Sequence, residues 1–295
     1  MTKIDFQGCG TALVTPFKNG QVDYVAFRAL VARQVKNGID FLLPLGTTGE
    51  TPCLNDEERI NLLKIAKEEA QGRPVIVGGG TNSLQDTVAS IKKLEPYGPD
   101  AFLIVVPYYN KPTQAGMYQY FKAVAQSTKT SIILYNVPGR TGACMQADTC
   151  LRLAVDVPNI VAVKEASGNV ALASDIIRNA PKGFRVLSGD DDITLPIMAL
   201  GGSGVISVAS NIAPREVSNM VHRALKGDYR TARALHHRLT PLFRACFVES
   251  NPVPVKSGLA HLKLCRNEFR LPLCPGTRAT DKLMAQTIKN LLINY

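Results

Sequence analysis

The sequence predicts an α/β fold, a (β/α)8 TIM barrel with a C-terminal three-helix extension. Short apolar runs alternate with helical patterns from residue 10 to about residue 225, at a spacing of roughly 25 to 30 residues. Eight such strand–helix pairs can be counted, which is more than an open parallel sheet usually contains. The glycine-rich stretches at 78–80 and 201–202 lack the G-x-G-x-x-G spacing of a dinucleotide-binding turn, so a Rossmann fold is the weaker alternative.

The predicted strands are short runs of β-branched and apolar residues followed by glycine, proline or polar residues. They span 10–17, 41–46, 74–80, 101–107, 131–138, 160–167, 184–190 and 204–209. The predicted helices between them carry apolar residues at helical spacing. They span 24–37, 56–70, 84–95, 114–127, 147–155, 170–179, 193–200 and 215–225.

After residue 225 the strand signals stop. Three further helical patterns span 228–248, 254–264 and 279–293, and the proline and glycine residues at 272–276 separate the last two. No repeat or low-complexity linker indicates an independent module. We therefore predict a catalytic barrel at residues 1–225 and a C-terminal helical domain at residues 226–295.

Composition excludes several classes of protein. The formal net charge is +10, but the 34 Lys and Arg residues form no long basic run interleaved with aromatics, so no nucleic-acid partner is expected. The seven cysteines form no C-x-x-C pair and the four histidines lack metal-ligand spacing, which favours a reduced, cytoplasmic protein without a metal. No signal-peptide core and no apolar stretch of about 18 residues is present, so no membrane partner is expected.

The sixth predicted strand carries a lysine, Lys164, in the apolar run I-V-A-V-K-E. A buried ammonium without a partner is costly, and a neutral amine open to a carbonyl is a Schiff-base nucleophile. The alternatives are a lysine paired with a carboxylate such as Glu165, or one that reaches solvent at the strand end.

Polar residues follow the other predicted strands, at the rim where barrel active sites form. The sequence G-T-T-G-E places the Thr47 and Thr48 hydroxyls and free backbone N–H groups where they could hold a carboxylate, unless the segment is only a turn with a helix cap. Tyr109 and Tyr135 follow strands 4 and 5 as candidate proton shuttles or packing residues, and Arg140 could grip a carboxylate. Together these residues indicate Schiff-base chemistry on an α-keto acid.

Strand 7 ends in S-G-D-D-D at 188–192, which on its own could be a Mg²⁺ site. No histidine or glutamate nearby completes such a site. We therefore predict that these aspartates cap the next helix.

The motifs G-T-T-G-E at 46–50, P-Y-Y-N-K-P at 107–112, Y-N-V-P-G-R-T at 135–141, V-K-E-A-S-G at 163–168 and G-G-S-G-V-I-S-V at 201–208 resemble the dihydrodipicolinate synthase family. This family lies within the pyruvate-dependent class I aldolase superfamily. The resemblance covers essentially the whole chain, including N-P-V-P-V-K at 251–256. Arginine at position 140 is the feature that separates these synthases from N-acetylneuraminate lyase and related sugar-acid aldolases.

The resemblance implies a lyase that condenses pyruvate with L-aspartate-4-semialdehyde to 4-hydroxy-tetrahydrodipicolinate, in lysine and diaminopimelate biosynthesis, without a cofactor. It implies that Lys164 forms the imine, that Thr47 and Thr48 hold the pyruvate carboxylate, and that Arg140 holds the second substrate. Residues matching the family's proton relay and pocket wall are Thr47, Tyr109, Tyr135, Gly189 and Ile206. Tyr109 would come from the neighbouring subunit of a homotetramer, a dimer of dimers.

The chain departs from lysine-inhibited bacterial members of the family in the helix after G-T-T-G-E. Where those members carry two histidines, this chain has Asp56 and Arg59, although Asn82, Asp86 and Tyr108 match or nearly match the remaining positions of that regulatory site. We therefore expect weak or absent feedback inhibition by lysine. The remaining alternatives are another pyruvate-dependent aldolase and a catalytically silent barrel that binds a ligand.

Overall fold

The computed structural model describes residues 5–293 and contains eight parallel strands in one sheet. The strands are β1 Gly8–Ala12, β2 Phe41–Leu43, β3 Ile76–Gly78, β4 Ala101–Val105, β5 Ser131–Asn136, β6 Ile160–Glu165, β7 Arg185–Ser188 and β8 Gly204–Ser207. Their order in the sheet is β2-β1-β8-β7-β6-β5-β4-β3. A parallel bridge between Leu42 and Val75 joins the two outer strands, so the sheet closes and the barrel prediction is confirmed.

Helices alternate with these strands as predicted. They are α1 Tyr24–Lys36, α2 Asp56–Glu69, α3 Leu84–Leu94, α4 Gln114–Gln126, α5 Ala147–Asp156, α6 Val170–Asn179, α7 Thr194–Ala199 and α8 Pro214–Leu225. Side-chain caps begin several of them; Asn55 accepts from the Glu58 backbone N–H, and the Glu58 carboxylate accepts from the Asn55 N–H in return. These caps explain why the predicted helix starts agree with the structure to within about one residue.

The core has two parts, as expected of a closed barrel. The barrel interior is filled by inward-facing side chains such as Phe41, Leu103, Leu187 and Ile206. A larger apolar layer fills the space between the strands and the surrounding helices. Alternate residues of one strand therefore lie in different environments, which matters for the neighbours Lys164 and Glu165 described below.

The predicted strands run too far at their carboxyl ends. Strand 2, for example, was expected to reach Gly46 but ends at Leu43, and Leu45 already has a left-handed backbone with φ of 59°. Single 3-10 turns follow three of the predicted strands, at Thr47–Gly49, Asp191–Ile193 and Ala209–Asn211. Apolar composition continues past the last ladder hydrogen bond, so the hydrophobic pattern alone does not mark where each strand stops.

Three helices follow the barrel: α9 Tyr229–Ala245, α10 Val253–His261 and α11 Arg278–Ile293. Helix α9 packs beside α8 and α11, and α10 packs beside α11 and the Ala209–Asn211 turn. The division into domains at residue 225 stays a prediction. Within residues 5–293 no helix is long and apolar enough to cross a membrane. The signal-peptide prediction concerns the N-terminus, and residues 1–4 lie outside the described residues.

Candidate active site

Strand β6 places Lys164 inside the barrel, where its side chain is only 5% exposed. It pairs in register with Tyr135 on β5 and Leu187 on β7. The Lys164 Nζ lies 4.4 Å from the centre of the Tyr135 ring. Among the described residues the amine has no hydrogen bond and no ion pair, so it is held by packing and by the ring face.

Glu165, the neighbour proposed as an ion-pair partner, does not bond to Lys164. Its carboxylate accepts hydrogen bonds from Asn136 Nδ2 at 2.8 Å and from the Ser167 backbone N–H at 2.7 Å. Burial raises the pKa of Glu165, and these two donors oppose the rise. Successive residues of a strand point to opposite faces, so the lysine keeps its amine free while the glutamate ties β5 to the loop after β6.

Gly189 borders the lysine stem, while the roles of Gly189 and Ile206 in the pocket wall stay predictions. A Cβ on Gly189 would lie 3.1 Å from Lys164 Cε and 2.4 Å from the Ala166 Cβ, so no side chain fits at this position. Ile206 is fully buried in the barrel interior on β8. The lysine stem is therefore confined on the side of β7 and β8.

The G-T-T-G-E segment folds as a 3-10 turn, Thr47–Gly49, that is pinned at both ends. Thr51 Oγ1 donates to the Gly46 carbonyl at 2.9 Å, and Thr15 Oγ1 donates to the Gly49 carbonyl at 2.7 Å. Neither threonine of the turn caps a helix: this turn and the one at Thr51–Cys53 have no side-chain cap, and the cap of α2 is Asn55. The hydroxyls of Thr47 and Thr48 are thus available for a ligand, which the helix-cap alternative did not allow.

A cavity of about 520 Å³ opens above the barrel mouth. Its wall includes Thr47, Tyr135, Arg140 and Tyr108, together with Asn251 from the C-terminal segment. The structure therefore brings together the predicted turn, the strand 5 tyrosine and the arginine. Tyr109 is not among the lining residues; its side chain is 89% exposed and its backbone has φ of 71°.

The aspartates after β7 do not cap the next helix, so that prediction was wrong. No side-chain cap begins the Asp191–Ile193 turn or α7. Instead the buried Asp191 carboxylate accepts from Ser207 Oγ at 2.5 Å and from the Val208 and Ala209 backbone N–H groups at 3.0 Å. It fixes the end of β8 rather than a helix. Burial raises the pKa of Asp190 to about 6, and the positive charge of Lys164 opposes the rise.

Two contacts from the C-terminal segment were missed at the sequence level. Asn251 Nδ2 donates to Thr48 Oγ1 at 3.0 Å, and Lys256 Nζ lies 2.7 Å from Glu50 Oε1. The available signal was a second lysine in an apolar run, V-P-V-K-S-G-L, on a predicted helix. A lysine on a helix usually faces solvent, so this pattern alone does not predict a buried pair.

A lysine inside a (β/α)8 barrel that has no hydrogen bond or ion pair among the described residues, beside a tyrosine that lines the cavity, is typical of the lysine-dependent, class I aldolases. The chain belongs to the dihydrodipicolinate synthetase family, whose model matches residues 5–291.

Full-length relatives agree with this assignment. The chain is 48% identical to the 4-hydroxy-tetrahydrodipicolinate synthase of Parabacteroides distasonis, over 99% of both chains. It is similar to the crystal structure of dihydrodipicolinate synthase from Thermotoga maritima, with a TM-score of 0.96, 42% identity, and 98% and 99% of the two chains covered. It is also similar to a crystal structure of the Cyanidioschyzon merolae enzyme with lysine bound, with a TM-score of 0.94, 40% identity, and 98% and 99% covered.

Proposed function

We propose that the chain is a lyase that condenses pyruvate with L-aspartate-4-semialdehyde to 4-hydroxy-tetrahydrodipicolinate, in the biosynthesis of lysine and diaminopimelate. The observation that carries this function is the buried Lys164 amine, which has neither an ion pair nor a hydrogen bond among the described residues. Full-length identity of 48% to an enzyme of that name supports the choice of reaction.

In the first step the Lys164 amine attacks the keto carbon of pyruvate. The resulting carbinolamine loses water and leaves a covalent imine, which makes the methyl group acidic. The keto acid's carboxylate binds at the Thr47–Gly49 turn, where the hydroxyls of Thr47 and Thr48 provide donors. The carboxylate then directs the keto carbon toward the amine below it.

In the second step the imine loses a methyl proton and the enamine carbon adds to the aldehyde of the second substrate, whose oxygen takes up a proton. The second substrate's amine then attacks the imine carbon, closes the ring and releases the Lys164 amine. Arg140 stands at the cavity wall, largely exposed, and donates from one Nη to the Asn251 carbonyl at 3.1 Å. Its remaining N–H groups are free to bind the semialdehyde's carboxylate in bidentate fashion.

Proton transfers need a hydroxyl chain between the imine and solvent, which we assign to Thr47, Tyr135 and Tyr109. Tyr135 contacts the amine through its ring, and Thr47 lines the same cavity. Tyr109 is exposed and lies outside this chain's cavity wall, so it fits a role in the site of a second copy. We therefore propose a homotetramer, a dimer of dimers, that works in the cytoplasm on pyruvate and the semialdehyde without nucleic-acid or membrane partners.

The experiment that tests this function is a coupled assay with pyruvate and L-aspartate-4-semialdehyde, run beside N-acetylneuraminate cleavage. We expect condensation with the semialdehyde and negligible cleavage of the sugar acid. Preferred cleavage would reassign the chain to the sugar-acid branch. Activity with neither substrate would identify a silent barrel.

A further inference from the structure

We propose that Asn251 is a positioning residue that prepares Thr48 to bind the carboxylate of the keto acid. This inference rests on the proposed function, because it assigns the carboxylate to the Thr47–Gly49 turn. Asn251 comes from the C-terminal segment, immediately before α10, and its side chain is 5% exposed. It lines the same cavity as Thr47, Tyr135 and Arg140.

The hydrogen bond from Asn251 to Thr48 determines whether the Thr48 hydroxyl can donate to a ligand. A hydroxyl has one proton to give and two lone pairs that accept. Asn251 Nδ2 can only donate, and it donates to Thr48 Oγ1 at 3.0 Å in a buried setting where Thr48 is 2% exposed. The Thr48 proton is therefore left for another acceptor. A carboxylate is an acceptor without a proton to give, so this arrangement suits it.

The amide oxygen of Asn251 indicates that the side chain serves the hydrogen bond from Nδ2 to Thr48. The amide oxygen, Oδ1, is buried and has no hydrogen-bond partner among the described residues. An unsatisfied buried oxygen costs stability, so an apolar side chain of similar volume would serve packing better. The donor Nδ2 is the part of the side chain that makes a bond.

The backbone of the same residue reaches the second substrate's site. Arg140 donates from Nη2 to the Asn251 carbonyl at 3.1 Å. This bond is made by the main chain, so replacing the Asn251 side chain leaves it in place. Side-chain variants of Asn251 should therefore change the handling of the keto acid and leave the semialdehyde site intact, which provides an internal control.

The contact is held at fixed distance by a second connection between the same two segments. Lys256, on α10, donates to Glu50, which directly follows the Thr47–Gly49 turn, and also to the Thr15 carbonyl at 3.0 Å. Thr15 in turn donates to Gly49. The turn and the C-terminal segment thus form one rigid unit, so a change in the Asn251 amide acts on the Thr48 hydroxyl rather than being absorbed by movement.

The test compares Asn251→Ala with the isosteric Asn251→Asp. Alanine removes the donor but leaves the Thr48 proton free, so the pyruvate concentration for half-maximal borohydride trapping should rise only about 3- to 10-fold. Aspartate places an ionised acceptor against Thr48, accepts the hydrogen bond that the Thr48 hydroxyl would give to the substrate, and repels the substrate's carboxylate. The same concentration should then rise on the order of 100-fold. A residue with a purely structural role gives the opposite order, because the isosteric change preserves packing best.

Lowering the pH provides a test within one folded protein. Burial should raise the pKa of the new carboxyl of Asn251→Asp, and its protonated form is a donor. From about pH 8 to about pH 5.5 its pyruvate requirement should therefore fall toward that of the wild type, measured over the same range. Asn251→Asp should also raise the pyruvate requirement little in a Thr48→Val background, because the hydroxyl on which it acts is gone.

Asn159→Ala is the matched control. Asn159 donates to three backbone carbonyls and directly precedes the first residue of β6, at the other end of the barrel.

The inference is overturned if alanine raises the pyruvate requirement more than aspartate does, or if the aspartate effect is independent of pH and of Thr48. The trapping readout needs only pyruvate and Lys164. A wild type that traps pyruvate but fails to condense it would therefore overturn the proposed reaction and leave this result standing. A wild type that traps no pyruvate would overturn both.

Discussion

Lys256 Nζ lies 2.7 Å from Glu50 Oε1, and both side chains are completely buried. The centres of the Phe17 and Phe269 rings lie 4.4 and 4.5 Å from the Lys256 Nζ. The Thr15 carbonyl accepts a further hydrogen bond from this ammonium. Burial lowers the pKa of Lys256 and raises the pKa of Glu50, and their mutual attraction opposes both changes. The pair joins α10 to the turn beside the proposed carboxylate site.

Removing one member of this pair should destabilise the whole fold. Lys256→Met leaves the Glu50 carboxylate buried without its partner, so the free energy of unfolding should fall by about 3 to 5 kcal/mol, measured by urea denaturation. Adding Glu50→Gln should restore part of the loss, because no buried charge then remains. Lys67→Met is the control: the Lys67–Asp100 pair is partly exposed and should cost at most about 1 kcal/mol. Equal losses from the two lysine variants would contradict the prediction.

The Lys256–Glu50 pair is also a contact that the sequence pattern does not predict. The alternation of apolar runs and helical patterns was sufficient for the barrel, because period and spacing are local properties of the chain. Lys164 was found for the same reason, since one charge in a β-branched run stands out. Lys256 and Asn251 acquire their roles only through residues about 200 positions away, Glu50 and Thr48. No local pattern records which distant segment will cover the rim.

The error at Asp191 has a similar cause. Aspartates before a helix usually cap it, and the sequence gives no reason to expect otherwise. In the closed barrel, however, β7 and β8 are neighbours, and the Asp191 carboxylate meets the N–H groups of Val208 and Ala209. The carboxylate is satisfied across the sheet rather than along the chain.

Lys164 should be the residue that carries the pyruvate adduct. Incubation with pyruvate and borohydride, followed by peptide mass spectrometry, should locate a reduced pyruvyl group on this side chain, because Lys164 is buried and its amine has no ion pair within residues 5–293. Lys164→Arg should abolish the label. Lys256 is the matched internal control, as a second buried lysine that is fully paired. A label on Lys256, or on any surface lysine, would refute the assignment.

Arg140→Ala should impair use of the semialdehyde far more than imine formation with pyruvate. The arginine contributes charged hydrogen bonds of roughly 1.5 to 3 kcal/mol each, so kcat/KM for the semialdehyde should fall by about one to two decades. Pyruvate trapping should stay near the wild-type level. Arg178→Ala removes an exposed arginine paired with Asp175 on a helix and should change neither measurement. If trapping falls as strongly as condensation, Arg140 belongs to the first substrate's site or to the fold.

Chelation should leave activity unchanged. Asp191 is the most buried aspartate of the group after β7. Its carboxylate oxygens already accept hydrogen bonds from Ser207, Val208 and Ala209. Among the described residues, no cluster of three His, Cys, Asp or Glu side chains has the arrangement to hold a metal ion. Prolonged dialysis against a chelator, followed by the coupled assay, checks this. Activity lost on dialysis and restored by Mg²⁺ or Zn²⁺ would show that Asp190 or Asp192 binds a metal.

Inhibition by L-lysine should be weak or absent. A bound lysine must find partners for its ammonium and its carboxylate, and it loses affinity steeply when a buried charge is unpaired. Here Asp56 is hydrogen-bonded to Lys93, and Arg59 donates to the Thr51 carbonyl at 3.0 Å. Asp56 and Arg59, three residues apart on α2, form only a long ion pair of 3.9 Å, so Lys93 is the nearer partner of Asp56.

A titration of steady-state activity with lysine at sub-saturating pyruvate measures this prediction. We expect a nearly flat curve through tens of millimolar, roughly the range where binding is weaker than about 3 kcal/mol. Replacing both positions with histidine, Asp56→His with Arg59→His, should increase sensitivity, since it restores the side chains that lysine-inhibited bacterial members carry there and frees Lys93. Arg59 and Tyr108 line the same cavity as Thr47 and Tyr135, so a change at position 59 alters the wall of that cavity. Half-inhibition of the unmodified enzyme below 1 millimolar lysine, roughly 4 kcal/mol of binding, would show that the native charges bind the effector after all.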